Sequence, residues 1–275
     1  MQVNTNMNSV LASNALASAN KDAALAMQRI STTSRINSAS DDPAGLVTAI
    51  RLKTQIGSLT KANQNINSGI GALQVMDSTL GEISSILMNM KELAVSSTNG
   101  AASADDRTAN NTAFQEYLTQ ITSVSSAAKW NGVSLLASTT GISIRTGAAT
   151  TDTQTIATYD TQQIPLGFTV AAAAAVDTAA HAAAAETLVD TAITTISGYQ
   201  SKVGAMLNMM DTKTNVNNAL ITSNTTGYAS ITNADLATET ANLASAQIRQ
   251  NAASAMFAQS NTISKEIVSY LLKGL

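Results

Sequence analysis

The sequence is poor in several residue types, and each shortage excludes a class of protein. It has no cysteine, which excludes disulfides, thiolate metal sites and cysteine nucleophiles. Only 3% of its 275 residues are aromatic, so its apolar side chains are mostly small or aliphatic and suit close contact between helices. Lys and Arg number 15 against 18 Asp and Glu, without a dense basic run, so nucleic acid is not an expected partner.

Long apolar runs and secretion signals are missing as well. No apolar run reaches the length of about eighteen residues that a transmembrane helix needs, so we expect no membrane insertion. The first twenty residues carry no basic residue before Lys21, and asparagines interrupt their apolar positions. Because they lack the features of a cleaved secretory signal, we expect any export to follow another route.

Residues that could carry chemistry are scarce and scattered. His181 is the only histidine, and it has no second metal ligand or catalytic carboxylate in its motif. The paired carboxylates Asp41-Asp42 and Asp105-Asp106 precede predicted helices, so capping explains them. No glycine motif for phosphate binding occurs. We therefore expect no catalytic site, cofactor or metal.

Apolar residues recur at helical spacing near the start of the chain. The residues three or four positions apart are Leu16, Ala19, Ala23, Met27 and Ile30. This spacing predicts a narrow, Ala-rich stripe on an amphipathic helix. The pattern breaks at residues 31–34, and a new helix is predicted at Pro43 with Asp42 as its N-cap.

The strongest periodicity lies in this second helix and predicts a seam, here called the rod seam. Its residues are Ile66, Ile70, Leu73, Leu80, Ile83, Leu87 and Met90. With Met76 or Asp77 between Leu73 and Leu80, and with Ala94 after Met90, the spacing alternates between three and four residues over about four heptads, which is typical of a coiled coil. A helix from Pro43 to about Ser97 would be about 80 Å long, too long for an ordinary globular domain.

The rest of the chain predicts a third helix from about Ser103, a turn at residues 130–132, β-hairpins within 141–170 and further helices to the end. Ala171 to Ala185 is either a helix start or a flexible stretch. The last stripe contains Met256, Ile263, Ile267 and Leu271. Because neither terminal stripe can bury itself alone, we expect the two ends to lie side by side.

These elements predict a mainly α fold, a long antiparallel helical rod with terminal coiled-coil helices and a small central β-hairpin region. The predicted divisions are an N-terminal helix and loop (1–42), the first part of the rod (43–136), a short hairpin or variable region (137–185), the second part of the rod (186–232) and a C-terminal core helix (233–275). The apolar seams fit either an intramolecular bundle or self-assembly, and periodicity alone does not decide between them.

Six motifs, in order along the chain, carry a family resemblance. Residues 28–46 read QRISTTSRINSASDDPAGL, 91–95 read KELAV and 130–136 read WNGVSLL. Near the other end, residues 231–239 read ITNADLATE, and 246–261 contain AQIRQNA and AMFAQSN. Together these motifs resemble bacterial flagellins over nearly the whole chain, except about residues 137–185.

The resemblance implies a structural subunit that self-assembles into the extracellular flagellar filament for swimming motility. It also implies type III export without a cleaved signal peptide. The expected partners are other subunits, an export chaperone at the C-terminal helix, and hook-associated and cap proteins. A proline also follows the aspartate pair in the hook-filament junction protein, as Pro43 does here. The alternative function is therefore that of a hook-filament junction protein. The residues assigned to self-assembly and core packing are Leu16, Met27, Arg29, Ile30, Arg35, Asn37, Asp41, Asp42, Met256, Ile263, Ile267 and Leu271.

Two departures from the family pattern lie on the long helix. Asn89 stands where the family commonly has Arg, and Ser96 stands where it commonly has Gln. With Lys91 and Leu93 they form the surface that resembles the one recognised by the vertebrate Toll-like flagellin receptor. We therefore expect weak receptor activation.

Overall fold

The structure of the protein, a computed structural model, describes residues 6–162, 166–168 and 175–273. Its helices are α1 (Met7–Thr32), α2 (Pro43–Thr98), α3 (Ala104–Ala127), α4 (Ala179–Thr232) and α5 (Leu236–Lys273). Its strands are β1 (Lys129–Trp130), β2 (Val133–Ser134), β3 (Ile142–Arg145) and β4 (Thr153–Ile156). The predicted mainly α fold with small hairpins is therefore confirmed.

Polar side chains fix where the helices begin. Asp42 accepts a hydrogen bond from the backbone N–H of Gly45 at 2.8 Å, so it caps α2 with Pro43 in the first helical position. Ser103 caps α3 in a capping box with Asp106. The Asp105-Asp106 pair was expected before this helix, and it lies instead in the first turn, because Ser103 takes the cap position.

The chain divides into two compact units. The first contains Met1–Thr54 and Ser223–Leu275, and the second contains Gln55–Thr222. Both boundaries fall within the residue ranges of long helices, α2 and α4. The predicted divisions at residues 42 and 232 instead follow helix ends, and they stay a prediction about the role of each segment.

The core of the second unit is built on the rod seam of α2. Six of the seven seam residues are at most 1% exposed, and Ile70 is half-buried. Helix α3 contributes Phe114, Leu118 and Ile121 to the same core, and α4 contributes a further apolar face. This cluster contains large aliphatic side chains, which supply most of the free energy of apolar burial.

Two short antiparallel hairpins follow α3. β1 and β2 are joined by Asn131 and Gly132, whose φ angles of 47° and 80° suit the left-handed two-residue turn of a hairpin. β3 pairs with β4 in the register Ile142↔Ile156, inside the region where hairpins were predicted. Residues 163–165 and 169–170 of that region lie outside the described residues.

The second half of the Ala-rich stretch, residues 179–185, is the start of a helix, while residues 171–174 lie outside the described residues. α4 begins at Ala179, where the Thr178 hydroxyl accepts a hydrogen bond from the backbone N–H of His181 at 3.2 Å. The predicted variable region 137–185 therefore overlaps α4 by seven residues. The physical reason is that alanine has the highest intrinsic helix propensity.

His181 lies on the first turn of α4 and pairs with an aspartate. Its Nδ1 atom lies 2.6 Å from Oδ1 of Asp177, and both side chains are exposed. Within the described ranges, no group of three or more metal-ligating side chains is placed to hold an ion. Over the same residues, no helix combines the length and the apolar character needed to cross a membrane.

Candidate assembly surface

The first unit is built around the antiparallel pair of α1 and α5, and their contact is made by alanine. The buried residues of α1 are Ala12, Ala19, Ala23 and Ala26, and those of α5 include Ala246 and Ala253. Several of these alanines repeat every seven residues, which keeps one face of each helix against its partner. Methyl side chains let the helix axes approach closely, but they bury little apolar area.

Polar bonds along the edges fix the register of this pair. Arg29 forms an ion pair with Glu239 at 3.1 Å, and Asp22 forms one with Arg249 at 2.9 Å. At the far end, the hydroxyl of Ser9 donates to Oδ1 of Asn261 at 2.9 Å. Low residue numbers on α1 meet high numbers on α5, so the helices are antiparallel over the whole of α1.

Most of the large apolar side chains described on α1, and several on α5, are exposed and not buried in the contact between the two helices. Among the side chains that the structure describes, the exposed ones on α1 are Met7, Val10, Leu11, Leu25 and Met27, and those on α5 are Leu236, Ile248 and Met256. Leu11 is 71% exposed, Ile248 69% and Met256 67%. A helix pair normally buries such side chains between its members. We call these eight residues the outer apolar set.

The loop between α1 and α2 packs on the junction of α4 and α5. The backbone N–H of Arg35 donates to the carbonyl of Thr232 at 2.7 Å, and its guanidinium donates to the carbonyl of Ile231 at 2.8 Å. Asp41 accepts from the backbone N–H groups of Asn37 at 3.0 Å and Ser38 at 2.8 Å. These backbone bonds stabilise the carboxylate and hold the pKa of Asp41 below its ordinary value.

The predicted assembly residues differ in exposure and in their contacts. Met27 and Met256 belong to the outer apolar set, whereas Leu16 and Ile30 are half-buried. The residues with polar roles in the first unit are Arg29, Arg35, Asn37, Asp41 and Asp42. Each of them takes part in a hydrogen bond within the first unit. Ile263, Ile267 and Leu271 lie on α5, where side chains fall outside the description.

Sequence reasoning found part of the buried face of α1 and missed most of the outer apolar set. The predicted stripe included Ala19 and Ala23, which are buried, but it placed exposed Met27 where the buried residue is Ala26, and it left out Ala12. The seven-residue repeat of Ala12, Ala19 and Ala26 is present in the sequence. That repeat was the available signal.

Comparison with known proteins decides the family. A family model described as the bacterial flagellin N-terminal helical region matches residues 3–141. A second model, the bacterial flagellin C-terminal helical region, matches residues 187–271. The chain belongs to the flagellin family. This flagellin is 30% identical over 276 residues to the flagellin of Listeria monocytogenes, which covers 95% of this chain and 96% of the relative.

Other relatives match over shorter stretches. The phase 1 flagellin of Salmonella naestved is 38% identical over 162 residues, which cover 59% of this chain and 32% of that protein. Among solved structures, Bacillus cereus flagellin has a TM-score of 0.50 at 28% identity, covering 56% of this chain and 88% of that one. A putative flagellar hook-associated protein from Vibrio parahaemolyticus has a TM-score of 0.59 at 15% identity, covering 70% and 100%, which shows the fold alone.

These findings confirm the predicted function. The chain is a structural subunit that self-assembles into the bacterial flagellar filament, an extracellular helical polymer. The hook-filament junction alternative is weaker, since the hook-associated match rests on the fold alone.

The surface predicted to resemble the receptor epitope lies on α2 of this flagellin. Asn89 and Ser96 are exposed there, and Leu93 is half-buried against the core. Lys91 bonds Asp190 of α4, with Nζ 2.5 Å from Oδ1, and this bond raises the pKa of Lys91. The ammonium group is therefore engaged within the chain.

Proposed function

We propose that this flagellin polymerises by burying its outer apolar set against neighbouring copies. The observation that carries the proposal is the inverted arrangement of α1 and α5, which have alanine inside and Leu, Ile and Met outside. Large apolar side chains that are exposed together on one helix pair are typical of a protein interaction site. Burying each large side chain would contribute about 1 to 2 kcal/mol, so eight of them per subunit favour a stable polymer.

The same arrangement suits an open polymer. The outer apolar set lies on two antiparallel helices, so one subunit can present different parts of it to different neighbours. Contacts between unlike patches are heterologous, and repeated heterologous contacts build helical polymers when the rotation does not close a ring. We assign to these contacts Met27 and Met256 and, further along α5, Ile263, Ile267 and Leu271.

The polar residues of the first unit have a different role in this proposal. Arg29, through Glu239, holds α1 against α5, while Arg35 and Asp41 hold the connecting loop. Asn37 and Asp42 complete that loop and the start of α2. They present the outer apolar set in a fixed arrangement, and none needs to touch a neighbouring subunit.

We also infer the finer partners and the route. An export chaperone that binds α5 would cover Ile248 and Met256 before assembly and so prevent polymerisation inside the cell. Hook-associated and cap proteins would meet the same faces at the filament ends. We propose in addition that the subunit is exported without cleavage of a signal peptide. It then acts as a structural protein, without catalysis and without a cofactor.

Polymerisation of purified protein tests the assembly surface. Concentrated protein is mixed with short filament seeds or a precipitating salt and viewed by negative-stain electron microscopy. The wild type should form long uniform filaments. A variant with Leu11→Ser, Met27→Ser and Met256→Ser should remain monomeric, with an unchanged far-ultraviolet circular dichroism spectrum.

A matched control replaces exposed polar residues of the same helices by serine. The variant with Asn14→Ser, Gln28→Ser and Gln259→Ser should polymerise as the wild type does. Normal filaments from the apolar-to-serine variant would contradict the proposed surface. Wild-type protein that forms only short stubs would favour the hook-filament junction function.

A further inference from the structure

In the second unit, helix α4 buries the residue at every seventh position along one face. The residues at this spacing are Ala182, Val189, Ile196, Val203, Met210 and Asn217, each at most 4% exposed. A strict seven-residue repeat keeps the same face of a helix against its partner. Asn217 therefore occupies a position at which the repeat otherwise places an apolar side chain.

The buried amide of Asn217 is bonded to two other elements. Its Nδ2 atom donates to Oδ1 of Asn63 on α2 at 2.9 Å and to the carbonyl of Thr146, just after β3, at 2.9 Å. Asn63 in turn donates from Nδ2 to Oδ1 of Asn218 at 2.8 Å. The side-chain amide of Asn217 on α4 is thus bonded to α2 and to the connection between β3 and β4.

A second polar contact between α2 and α4 is consistent with the register that the Asn63–Asn218 contact defines. Lys91 meets Asp190 with Nζ 2.5 Å from Oδ1. Asn63 and Lys91 are four heptads apart on α2, and Asn218 and Asp190 are four heptads apart on α4. The polar contacts at both places therefore belong to a single antiparallel register.

Apolar contacts alone discriminate weakly between registers one heptad apart. The hydrophobic effect is non-directional, and a shift of seven residues again places apolar side chains opposite one another. The shift would, however, remove Asn217 from Asn63 and Thr146. A buried amide without a partner is strongly disfavoured, so the asparagine opposes the shift.

We propose that Asn217, through Asn63 and Thr146, sets the register of α4 on α2 and rejects registers shifted by one heptad. A buried asparagine in an apolar seam specifies register in coiled coils at a cost in stability. A filament subunit needs such a device because a one-heptad shift moves a helix surface by about 10.5 Å. The proposal concerns the second unit and does not depend on the outer apolar set.

Cysteine cross-linking tests the register, because the chain contains no cysteine. The pair Lys91→Cys with Asp190→Cys reports the observed register. The pairs Lys91→Cys with Ser197→Cys and with Ala183→Cys report shifts of one heptad in either direction. The bifunctional thiol reagent must be shorter than the helical rise of one heptad, about 10.5 Å.

In the Asn217→Leu background, the shifted-register products should increase about tenfold or more, because no unpaired amide opposes the shift. The thermal midpoint should equal or exceed that of the wild type. Asn63→Leu alone should lower the midpoint, since the Asn217 amide then stays buried with one partner fewer. Met210→Leu, at the preceding position of the same repeat, is the control and should give only the observed-register product.

A second variant keeps the test decisive if Asn217→Leu does not fold. Asn63→Leu with Asn217→Leu makes the seam apolar on both helices and should also give shifted-register products. Cross-links confined to the observed register in every folded leucine variant would overturn the proposal. Shifted products in the wild type as abundant as in the variants would overturn it too.

Discussion

At the scale of single residues, Gly71 makes room for the only tryptophan. A Cβ atom at position 71 would lie 2.8 Å from Cη2 and 3.2 Å from Cζ2 of Trp130. Because the indole ring is rigid, Gly71→Ala should displace it. Overpacking should outweigh the gain in helix propensity and destabilise the protein by about 1 kcal/mol. The tryptophan fluorescence should shift to longer wavelength, and urea unfolding measures the free energy.

Gly57 provides the control on the same helix. A Cβ atom there would meet nothing within 4 Å. Gly57→Ala should therefore stabilise the protein by about 0.5 to 1 kcal/mol and leave the fluorescence unchanged. Equal gains in stability for both alanine variants would contradict the packing of Trp130 on α2.

Replacing Arg29 should destabilise the protein more than replacing its counterpart Arg249, because the partner of Arg29 is buried. The Glu239 side chain is 9% exposed, whereas that of Asp22 is 45% exposed. Arg29→Ala leaves a buried carboxylate unpaired and should cost about 2 kcal/mol, a value discounted for the partial exposure of Arg29. Arg249→Ala should cost at most about 1 kcal/mol. Urea unfolding of both variants checks the order, and equal costs would contradict it.

At the scale of elements, aspartates at helix starts and in the loop before α2 have lowered pKa values, so the stability of the fold should fall in acid. The pKa of Asp106 is lowered mainly by the Ser103 hydroxyl, and that of Asp235 mainly by the Thr238 hydroxyl. The pKa of Asp41 is lowered mainly by the backbone N–H of Asn37. A depressed folded-state pKa stabilises the fold above the unfolded value, here 3.8. This stabilisation is lost as the pH falls through the folded-state pKa.

The free energy of unfolding should therefore be flat near neutral pH and fall as the pH decreases below about 4. Asp41→Asn and Asp106→Asn together should make this fall shallower, since an amide does not titrate. Urea unfolding from pH 6 to pH 2 gives the two curves. Parallel curves for the variant and the wild type would show that these carboxylates do not cause the acid sensitivity.

At the scale of the whole molecule, the two units have cores of different strength. Among the described residues, the buried apolar residues of the first unit are alanines and Ile36, whereas the second unit buries Ile, Leu, Met and Phe. Less apolar burial gives a lower free energy of local opening. Amides of α1 and α5 in the monomer should exchange at least about tenfold faster than those of the rod seam. Equal protection would contradict this difference.

The surface of α2 that resembles the receptor-binding surface of other flagellins predicts how strongly the monomer activates the receptor. Asn89 and Ser96 carry no charge or long amide where the family pattern has Arg and Gln, and Lys91 is bonded to Asp190. Purified monomer should therefore activate the Toll-like flagellin receptor weakly in a reporter-cell assay. Asn89→Arg with Ser96→Gln should increase the response, and strong signalling by the wild type would contradict the prediction.

The sequence by itself determined the helices and the family. Heptad spacing located the rod seam from Ile66 to Met90, and the Asp42-Pro43 pair located the start of α2, because both signals are local along the chain. The ordered motifs indicated a flagellin, and Asn131-Gly132 predicted a turn, which the structure shows to be the turn of the first hairpin. These features depend on residues that are near one another in sequence.

Only the tertiary structure decided which side chains are exposed and which distant residues are in contact. Spacing placed Met27 on the stripe of α1, but the packing against α5 buries Ala26 and leaves Met27 exposed. Likewise, the sequence gives no sign that Asn217 meets Asn63 and Thr146, which are far away along the chain. The physical reason is that periodicity defines a face of one helix, whereas its exposure depends on the size and register of the partner helix.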